Sequence, residues 1–283
     1  MTKKIKTIVD LRDELTETRK LKKKISLVPT MGNIHEGHLS LIKNAQKQSD
    51  YVVVSIFVNP TQFVAGEDFN EYPRTLDSDI ELISKLNVNL VFIPEAIELY
   101  PMNNKISTEV SIPELESIYC GEHRPGHFRG VATIVSKLFN IVQPDIAIFG
   151  EKDYQQLLII RSLVKNLFLP IEIISLPTVR EASGLAMSSR NNYLTEPERQ
   201  KAPMLYECIK ATVNLIINGA KDYEKLEREA KLFLEKAGFK IEYYNICDSE
   251  TLGPVQGKIL VVLAAVWLGK TRLIDNATVH TYD

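Results

Sequence analysis

A pair of histidines one helical turn apart, His35 and His38, follows an apolar run and precedes a segment with helical periodicity. A helix that begins here offers free backbone N–H groups and the positive end of its dipole to an anion. Gly32 and Gly37 carry no side chain that would block the approach of a polyphosphate. Residues 29–38 are therefore predicted to form a phosphate-binding turn in which both imidazoles face the same anion.

The histidine pair has two other interpretations, a metal site and two ordinary surface histidines. The run His35-Glu36-Gly37-His38 is one residue shorter than the H-E-x-x-H helix of zinc enzymes, and the sequence offers no obvious third ligand. The pattern therefore favours an anion at this turn, and we predict no metal ion held by protein ligands.

A second turn of this kind follows the predicted strand that ends at Phe149, and it contains Gly150, Lys152 and Asp153. A lysine at a strand tip can reach phosphate oxygens. The alternatives are a solvated lysine and an aspartate that merely caps the next helix. Because both turns are expected at the same edge of the sheet, the sequence favours a role for Lys152 in phosphate binding.

Residues 184–191 combine a glycine with hydroxyls and a cation in the run Met187-Ser188-Ser189-Arg190. Hydroxyl groups and a fixed guanidinium can close over a bound nucleotide. Taken alone, the segment is better explained as a serine-rich turn with an exposed arginine. Its functional interpretation therefore depends on the other motifs.

Neutral polar side chains follow the second predicted strand in residues 57–63, where Asn59 and Gln62 stand among apolar neighbours. Amide groups of this kind suit a small hydroxy-carboxylate. An Asn-Pro turn with a capping role explains the same residues about equally well.

Residues 121–130 are dense in glycine, cations and histidine and directly precede a predicted helix. They are typical of a flap or of a turn that faces an anion, and a purely structural loop is the alternative. The sequence assigns no chemical step to His123 or His127.

These turns must be positioned by the elements of residues 25–175, where short β-branched runs alternate with helical patterns. Strands are predicted at 25–28, 51–58, 88–93, 145–149 and 171–174, and helices at 39–47, 76–86, 131–142 and 154–168. This order predicts an α/β fold, a Rossmann-like doubly wound parallel sheet with ligands at the carboxyl ends of its strands.

The pattern changes after Pro177. Two helices are predicted at 195–218 and 222–237, followed by apolar strands at 240–246 and 258–267. We therefore expect a second, smaller α+β C-terminal domain over residues 178–283, after a nucleotide- and substrate-binding domain over residues 1–177. Proline, glycine and serine in residues 176–192 mark the bridge between them.

Composition narrows the class of ligand. The 283 residues carry a formal charge of −2, so no overall field attracts nucleic acid or an anionic membrane. Three widely spaced cysteines indicate neither a disulfide framework nor a zinc ribbon. Residues 1–24 lack the apolar stretch of a secretory signal, and the apolar run 259–268 is too short to span a bilayer. We expect a cytoplasmic protein that binds small molecules.

Taken together, these segments resemble the pantothenate synthetases, a family within the HxGH group of nucleotidyltransferases. The resemblance covers nearly the whole chain and is strongest in residues 29–41, 55–63, 124–163 and 180–194. It implies ATP-dependent condensation of pantoate with β-alanine through a pantoyl-adenylate, with release of AMP and pyrophosphate. It also implies Mg²⁺ with the triphosphate and a cytoplasmic homodimer. Ser183 departs from the family, in which an aspartate is expected at this position.

The resemblance implies roles for the matching residues. Catalytic roles are expected for His35, His38, Lys152 and Arg190. Contacts with ATP are expected for Met31, His38, Gly150, Lys152, Asp153, Met187, Ser188, Ser189 and Arg190. Pantoate is expected to bind Asn59, Gln62 and Gln156.

Two rival functions fit part of the pattern. A nucleotidyltransferase that makes a dinucleotide would suit the histidine turn and the serine-rich segment equally well, but Gln62, Gln156 and the long match over 124–163 favour pantoate. A nucleotide-binding sensor would need the glycines and Lys152 but not both histidines, so the paired imidazoles favour catalysis.

Overall fold

The computed structural model describes residues 2–101 and 108–281. The chain separates into two compact units, one formed by Met1–Glu151 with Gln156–Pro177 and the other by Lys152–Gln155 with Thr178–Asp283. The short segment Lys152–Gln155 thus groups with the C-terminal unit, although it lies well before the predicted boundary at residue 177.

The first unit contains a six-stranded, wholly parallel sheet in the order β1-β4-β3-β2-β5-β6. Its strands are β1 Lys3–Ile5, β2 Ile25–Thr30, β3 Tyr51–Ile56, β4 Leu90–Phe92, β5 Ile146–Gly150 and β6 Glu172–Leu176. The predicted Rossmann-like fold class is confirmed. The strands are almost continuous apolar runs because helices cover both faces of the sheet.

Eight helices connect and cover the described strands of this unit. They are α1 Ile8–Lys20, α2 Glu36–Gln48, α3 Leu76–Lys85, α4 Ala96–Leu99, α5 Pro113–Glu116, α6 Cys120–His123, α7 His127–Val142 and α8 Tyr154–Asn166. Successive residues of a strand point to opposite faces of the sheet and belong to different hydrophobic clusters. Leu27 packs in a cluster with α1, α7 and α8. Val28 packs in a cluster with α2 and α3.

The strand order reverses between β2 and β5, which is where such sheets open a crevice for ligands. The two strands pair only at Ser26 with Ile146 and at Leu27 with Ala147. Both strands continue beyond this pairing, β2 to Thr30 and β5 to Gly150. Their carboxyl ends therefore separate, and the two turns singled out in the sequence begin there.

The second unit combines three helices with a three-stranded antiparallel sheet in the order β7-β8-β9. The helices are α9 Glu196–Lys201, α10 Met204–Ile217 and α11 Tyr223–Lys236, and the strands are β7 Lys240–Asp248, β8 Ile259–Leu268 and β9 Thr271–His280. The predicted smaller α+β unit is confirmed. Across the described residues, no helix combines the length and apolar character needed to cross a membrane.

Two features of the second unit differ from the sequence-based prediction. The single helix expected at 195–218 is two helices, because Pro203 has no N–H to continue the backbone ladder and stands as the N-cap of α10. Strand β9 was not predicted. Its run contains Asp275 and Asn276, residue types that are depleted in strands, yet both side chains are buried here.

Candidate functional site

The turn after β2 folds tightly against its own unit. Gly32 has a φ of +83°, in the left-handed region that glycine adopts without strain. A Cβ at this position would lie 2.9 Å from Oδ2 of Asp79. The backbone N–H of Gly32 also donates to the hydroxyl of Thr30 at 3.2 Å. Glycine is therefore required here both by backbone conformation and by the closeness of a buried carboxylate.

That carboxylate, Asp79 on α3, organises the turn and was missed by the sequence analysis. Its Oδ2 accepts from the N–H of Asn33 at 2.9 Å, and its Oδ1 accepts from the N–H of Ile34 at 2.8 Å. The side chain is only 2% exposed. One signal was available: Asp79 stands at helical spacing from Leu76 and Ile83, on the face of α3 that should pack on the sheet.

The structure brings His35 and His38 together at the start of α2. Their rings stack with centroids 4.1 Å apart and planes inclined by 28°. The N–H of His35 donates to Nδ1 of His38 at 3.4 Å. Because this bond uses Nδ1 as an acceptor, the neutral His38 ring carries its proton on Nε2. His38 thus presents a donor at the amino end of a helix, the arrangement that suits a phosphate oxygen.

The polar turn after β3 is built around Asn59, whose side chain is 1% exposed. Its Nδ2 donates to Oε1 of Gln62 at 3.1 Å, and its Oδ1 accepts from the hydroxyl of Tyr100 at 2.8 Å. Gln62 in turn donates from Nε2 to the Sδ of Met31 at 2.9 Å. Three predicted site residues therefore form one connected cluster, in which Asn59 orients the half-buried Gln62.

Burial raises the pKa of Tyr100, with a smaller opposing contribution from its hydrogen bond to Thr61. The hydroxyl of Tyr100 therefore stays protonated and donates to Asn59 throughout the neutral range. This neutral donor fixes the orientation of the Asn59 amide, and with it the orientation of Gln62.

The glycine- and histidine-rich segment 121–130 supports the same turn. Nδ1 of His127, the first residue of α7, donates to the carbonyl oxygen of Gln62 at 2.6 Å. At Gly130 a Cβ would lie 2.1 Å from the carbonyl oxygen of Thr61, so only glycine lets α7 approach this closely. His127, to which the sequence assigned no step, therefore holds the backbone of Gln62, whereas His123 is exposed.

Gly150 and Gln156 complete the predicted site residues of the first unit. Gly150 is the last residue of β5, and among the described residues other than its chain neighbours no atom lies within 4 Å of the place where its Cβ would be. The strand tip is thus open to close approach by a ligand. Gln156 is half-buried in the first turn of α8.

In the second unit, Lys152 and Asp153 lie in the 3₁₀ turn Glu151–Asp153, and their charged ends are 3.9 Å apart. The backbone of this segment is tied to the C-terminal sheet. The side-chain amide of Asn276 donates to the carbonyl of Lys152 at 3.0 Å, and the hydroxyl of Tyr154 donates to the carbonyl of Ser249 at 2.8 Å.

Residues 178–194, which include most of the predicted bridge 176–192, form a loop within the second unit. Arg180 and Ala186 form an isolated antiparallel bridge, and the N–H of Met187 donates to the carbonyl of Val179 at 2.9 Å. Ser188 caps the 3₁₀ turn Ser189–Tyr193 by accepting from the N–H of Arg190 at 3.3 Å. The loop therefore sets the hydroxyls and the cation of the predicted phosphate-binding run side by side.

Ser183, the position that departs from the family pattern, lies in the exposed turn of this loop. Its hydroxyl accepts from the N–H of Leu185 at 3.4 Å, so the serine keeps a local hydrogen bond at this position.

The described residues contain no group of three or more His, Cys, Asp or Glu side chains arranged to hold a metal ion. All three cysteines, which lie within the described part of the chain, are buried thiols outside any disulfide. The polar groups that follow β2 and β3 are imidazoles and amides, which can donate hydrogen bonds to an anionic ligand.

Comparison with known proteins gives a consistent result along the whole chain. The profile of the family Pantoate-beta-alanine ligase matches residues 3–278. The pantothenate synthetase of Hahella chejuensis is 51% identical over 278 residues, which is 98% of each chain. That of Marinobacter nauticus is 50% identical over 277 residues, 97% of this chain and 98% of the relative.

Solved structures agree. A crystal structure of pantothenate synthetase from Thermus thermophilus is 40% identical, covers 98% of this chain and 99% of its own, and superposes with a TM-score of 0.91. The ligase from Francisella tularensis, complexed with β,γ-ATP and β-alanine, is 36% identical, covers 98% of this chain and 97% of its own, and gives a TM-score of 0.80. On this evidence the chain belongs to the pantoate–β-alanine ligase family.

Proposed function

We propose that this chain condenses pantoate with β-alanine at the expense of ATP, and that it does so through a pantoyl-adenylate. The observation that carries this proposal is the stacked His35–His38 pair at the start of α2, at the separating ends of β2 and β5. Membership of the ligase family supports the overall reaction. A relative whose structure is complexed with β,γ-ATP and β-alanine supports the choice of substrates.

The residues proposed to bind ATP are those that the family resemblance indicates. The phosphates are bound by the side chains that can donate to oxygen, namely His35, His38, Lys152, Ser188, Ser189 and Arg190. Met31, Gly150, Asp153 and Met187 contact the remainder of the nucleotide. Of the donors, His38 has its orientation set by the bond from the His35 backbone, so its Nε2–H is fixed in advance.

In the first step a pantoate carboxylate oxygen attacks the α-phosphorus, and the bond from that phosphorus to the β-phosphate oxygen breaks. Negative charge builds on the α-phosphate and on the departing pyrophosphate. Fixed donors and cations at those oxygens stabilise the transition state more than the ground state. We assign this stabilisation to His38, Lys152 and Arg190, with His35 orienting the His38 ring.

Pantoate is held by neutral amides. Gln62 is half-buried and already oriented by Asn59 and by the bond from His127 to its backbone. Gln156 supplies a second amide. Asn59 itself is 1% exposed, so we propose that it acts on pantoate chiefly by orienting Gln62.

In the second step the unprotonated amine of β-alanine attacks the pantoyl carbonyl carbon, and the bond from that carbon to the AMP oxygen breaks. AMP leaves with the oxygen that pantoate contributed. The amine proton passes to solvent or to His35. Holding both reactants in line supplies the entropic part of the rate enhancement.

We further propose that Mg²⁺ enters with ATP as part of the substrate. Mg²⁺ commonly binds nucleotide phosphates and water, with only one or two protein carboxylates, so it does not require a cage of protein ligands. Bound in this way, it would neutralise charge on the phosphates.

We infer that the protein acts in the cytoplasm as a homodimer on small molecules, without nucleic acid or membrane partners. A formal charge of −2 over 283 residues gives no overall attraction to polyanions. The homodimer follows the expectation for the family, and sedimentation equilibrium would test it.

The proposal is tested by exchange of labelled pyrophosphate into ATP in the absence of β-alanine. We expect exchange that depends on pantoate. His38→Ala should slow it on the order of 10²- to 10³-fold while the affinity for ATP changes by less than about tenfold. The control is Lys43→Ala, an exposed lysine of the same helix, which should exchange at the parent rate. Pyrophosphate exchange at the same rate with and without pantoate would refute the pantoyl-adenylate intermediate.

A further inference from the structure

The side chain of Asn276 lies in β9 and touches a segment that is distant in sequence. It is 8% exposed, and its Nδ2 donates to the carbonyl oxygen of Lys152 at 3.0 Å. The backbone N–H of Asn276 donates to Oδ1 of Asp275 at 2.8 Å, which fixes the strand at this point. A buried amide therefore anchors the backbone of the residue that carries a proposed catalytic ammonium.

The anchor matters because lysine reaches its target through four flexible methylenes. The Lys152 side chain is 20% exposed, and its backbone lies in the 3₁₀ turn Glu151–Asp153, which joins the end of β5 to the start of α8. Fixing the carbonyl of Lys152 restricts where its ammonium can go before ATP binds. A displacement of about 1 Å at a catalytic group can cost on the order of 10²-fold in rate.

The neighbouring residue of β9 holds the other phosphate-binding segment. Both carboxylate oxygens of Asp275 accept from Arg180, at 2.6 and 2.8 Å. Arg180 also donates to the carbonyl of Gly184 at 3.2 Å, and its guanidinium lies 3.2 Å from the ring centroid of Tyr206. Adjacent side chains of one strand thus support the Lys152 turn and the loop that carries Ser188 and Arg190.

We propose that Asn276 is a positioning residue for adenylate formation: its amide holds the Lys152 carbonyl so that the Lys152 ammonium meets the charge that develops on the phosphates. This inference rests on the proposed function, because it requires Lys152 to act in that step. Asn276 acts only through Lys152, and its proposed role involves no contact with substrate.

The test is a double-mutant cycle on pantoate-dependent pyrophosphate exchange, using Asn276→Ala, Lys152→Ala and the double variant. Loss of one anchoring hydrogen bond should lower the exchange kcat about tenfold, with the KM values for ATP and pantoate within about threefold. In the Lys152→Ala background the second change should cost less than about twofold, because the group being positioned has been removed.

The matched control is Asn245→Ala, an asparagine of the same sheet whose amide donates to Glu227 of α11 at 3.4 Å. It should exchange at the parent rate. Asn276→Asp keeps the size of the side chain but removes the amide donor, and it should lose activity as Asn276→Ala does. This second variant keeps the test valid if the alanine variant does not fold.

Failure of the proposed function and failure of this inference give different results. If the parent enzyme shows no pantoate-dependent exchange, the proposed function fails, and this inference fails with it. If the parent exchanges but the effects of Asn276→Ala and Lys152→Ala multiply, Asn276 does not act through Lys152. A fully active Asn276→Asp variant would overturn the inference in the same way.

Discussion

The two loops proposed to receive substrates are held in different ways. In the first unit, the turn that carries Gln62 is fixed by uncharged groups, through the bonds of Tyr100 to Asn59 and of Asn59 to Gln62. In the second unit, the loop 178–194 is fixed by two-point ion pairs, Arg180 with Asp275 and Arg199 with Glu181.

The difference follows from what each kind of contact demands. A neutral hydrogen bond contributes about 1 kcal/mol net, and its loss is local. A buried ion pair such as Arg180 with Asp275 has little net effect on stability while intact, but loss of one partner leaves an uncompensated charge and costs several kcal/mol. Removal of one charge from the loop proposed to bind phosphate should therefore lower the free energy of unfolding strongly. Removal of one hydrogen bond from the loop proposed to bind pantoate should lower it only slightly.

The largest effect is expected from Arg180→Met. The change keeps the apolar length of the side chain but leaves the carboxylate of Asp275, 3% exposed, without its guanidinium. The free energy of unfolding should fall by about 3 to 5 kcal/mol in chemical denaturation. Lys225→Met, which removes an exposed pair with Glu229, should cost less than about 1 kcal/mol.

A compensating change sharpens this test. Asp275→Asn in the Arg180→Met background removes the unpaired charge and keeps an acceptor for the N–H of Asn276. It should restore a large part of the lost stability. If the double variant is no more stable than Arg180→Met, charge is not what fixes this loop.

Gly130→Ala should have the next largest effect, in the first unit. A methyl group there would lie 2.1 Å from the carbonyl oxygen of Thr61, so α7 or the Gln62 turn must move. We expect a loss of about 1 to 3 kcal/mol in unfolding free energy and a higher KM for pantoate.

The control for Gly130→Ala is Arg129→Ala in the same helix, which removes only half-exposed ion pairs with Glu109 and Glu116. It should cost no more than about 1 kcal/mol and leave the KM for pantoate unchanged. An unaltered KM for pantoate in Gly130→Ala would contradict the link between α7 and Gln62.

Tyr100→Phe should weaken the neutral network without breaking it. It removes only the hydroxyl that donates to Asn59 at 2.8 Å. The KM for pantoate should rise by about 3- to 10-fold, with the KM for ATP unchanged. Tyr51→Phe removes a comparable buried hydroxyl that donates to Glu14, and it should lower stability without affecting either KM.

The smallest effect concerns the response of the second unit to acid. Hydrogen bonds from the backbone of Thr251, and then of Glu250 and Gly257, lower the pKa of Asp248 against the opposing effect of burial. A lowered pKa in the folded state stabilises the fold above the unfolded-state pKa, and this contribution is lost as pH falls through the folded value. Stability at low pH should therefore depend less on pH in Asp248→Asn, as thermal melts between about pH 2 and 5 would show.

The turns that follow the strands could be predicted from the sequence. Parallel strands are apolar runs, so the turns after β2 and β5 could be located, and with them His35, His38 and Lys152. Asp79, His127 and Asn276 were not recognised, because each acts through a contact with a segment far away in the chain. In the sequence, a buried polar residue on a helix face or in a strand appears only as an interruption of the apolar pattern.

The polar composition of β9 hid the strand from prediction for the same reason. Asp275 and Asn276 interrupt its apolar alternation, and they do so because they bind the loop of Arg180 and the turn of Lys152. The residues that weaken the strand signal are thus the residues that support the proposed phosphate-binding segments. Local preference was overridden there by tertiary contacts.

The central claim is that pantoate is activated at the α-phosphate, and the fate of its carboxylate oxygen tests this most directly. Pantoate labelled with ¹⁸O in the carboxylate is incubated with the enzyme, ATP and β-alanine. The products are separated, and their ¹⁸O content is measured by mass spectrometry. We expect one ¹⁸O atom in AMP and none in pyrophosphate. Label in inorganic phosphate together with ADP, or unlabelled AMP, would contradict the account.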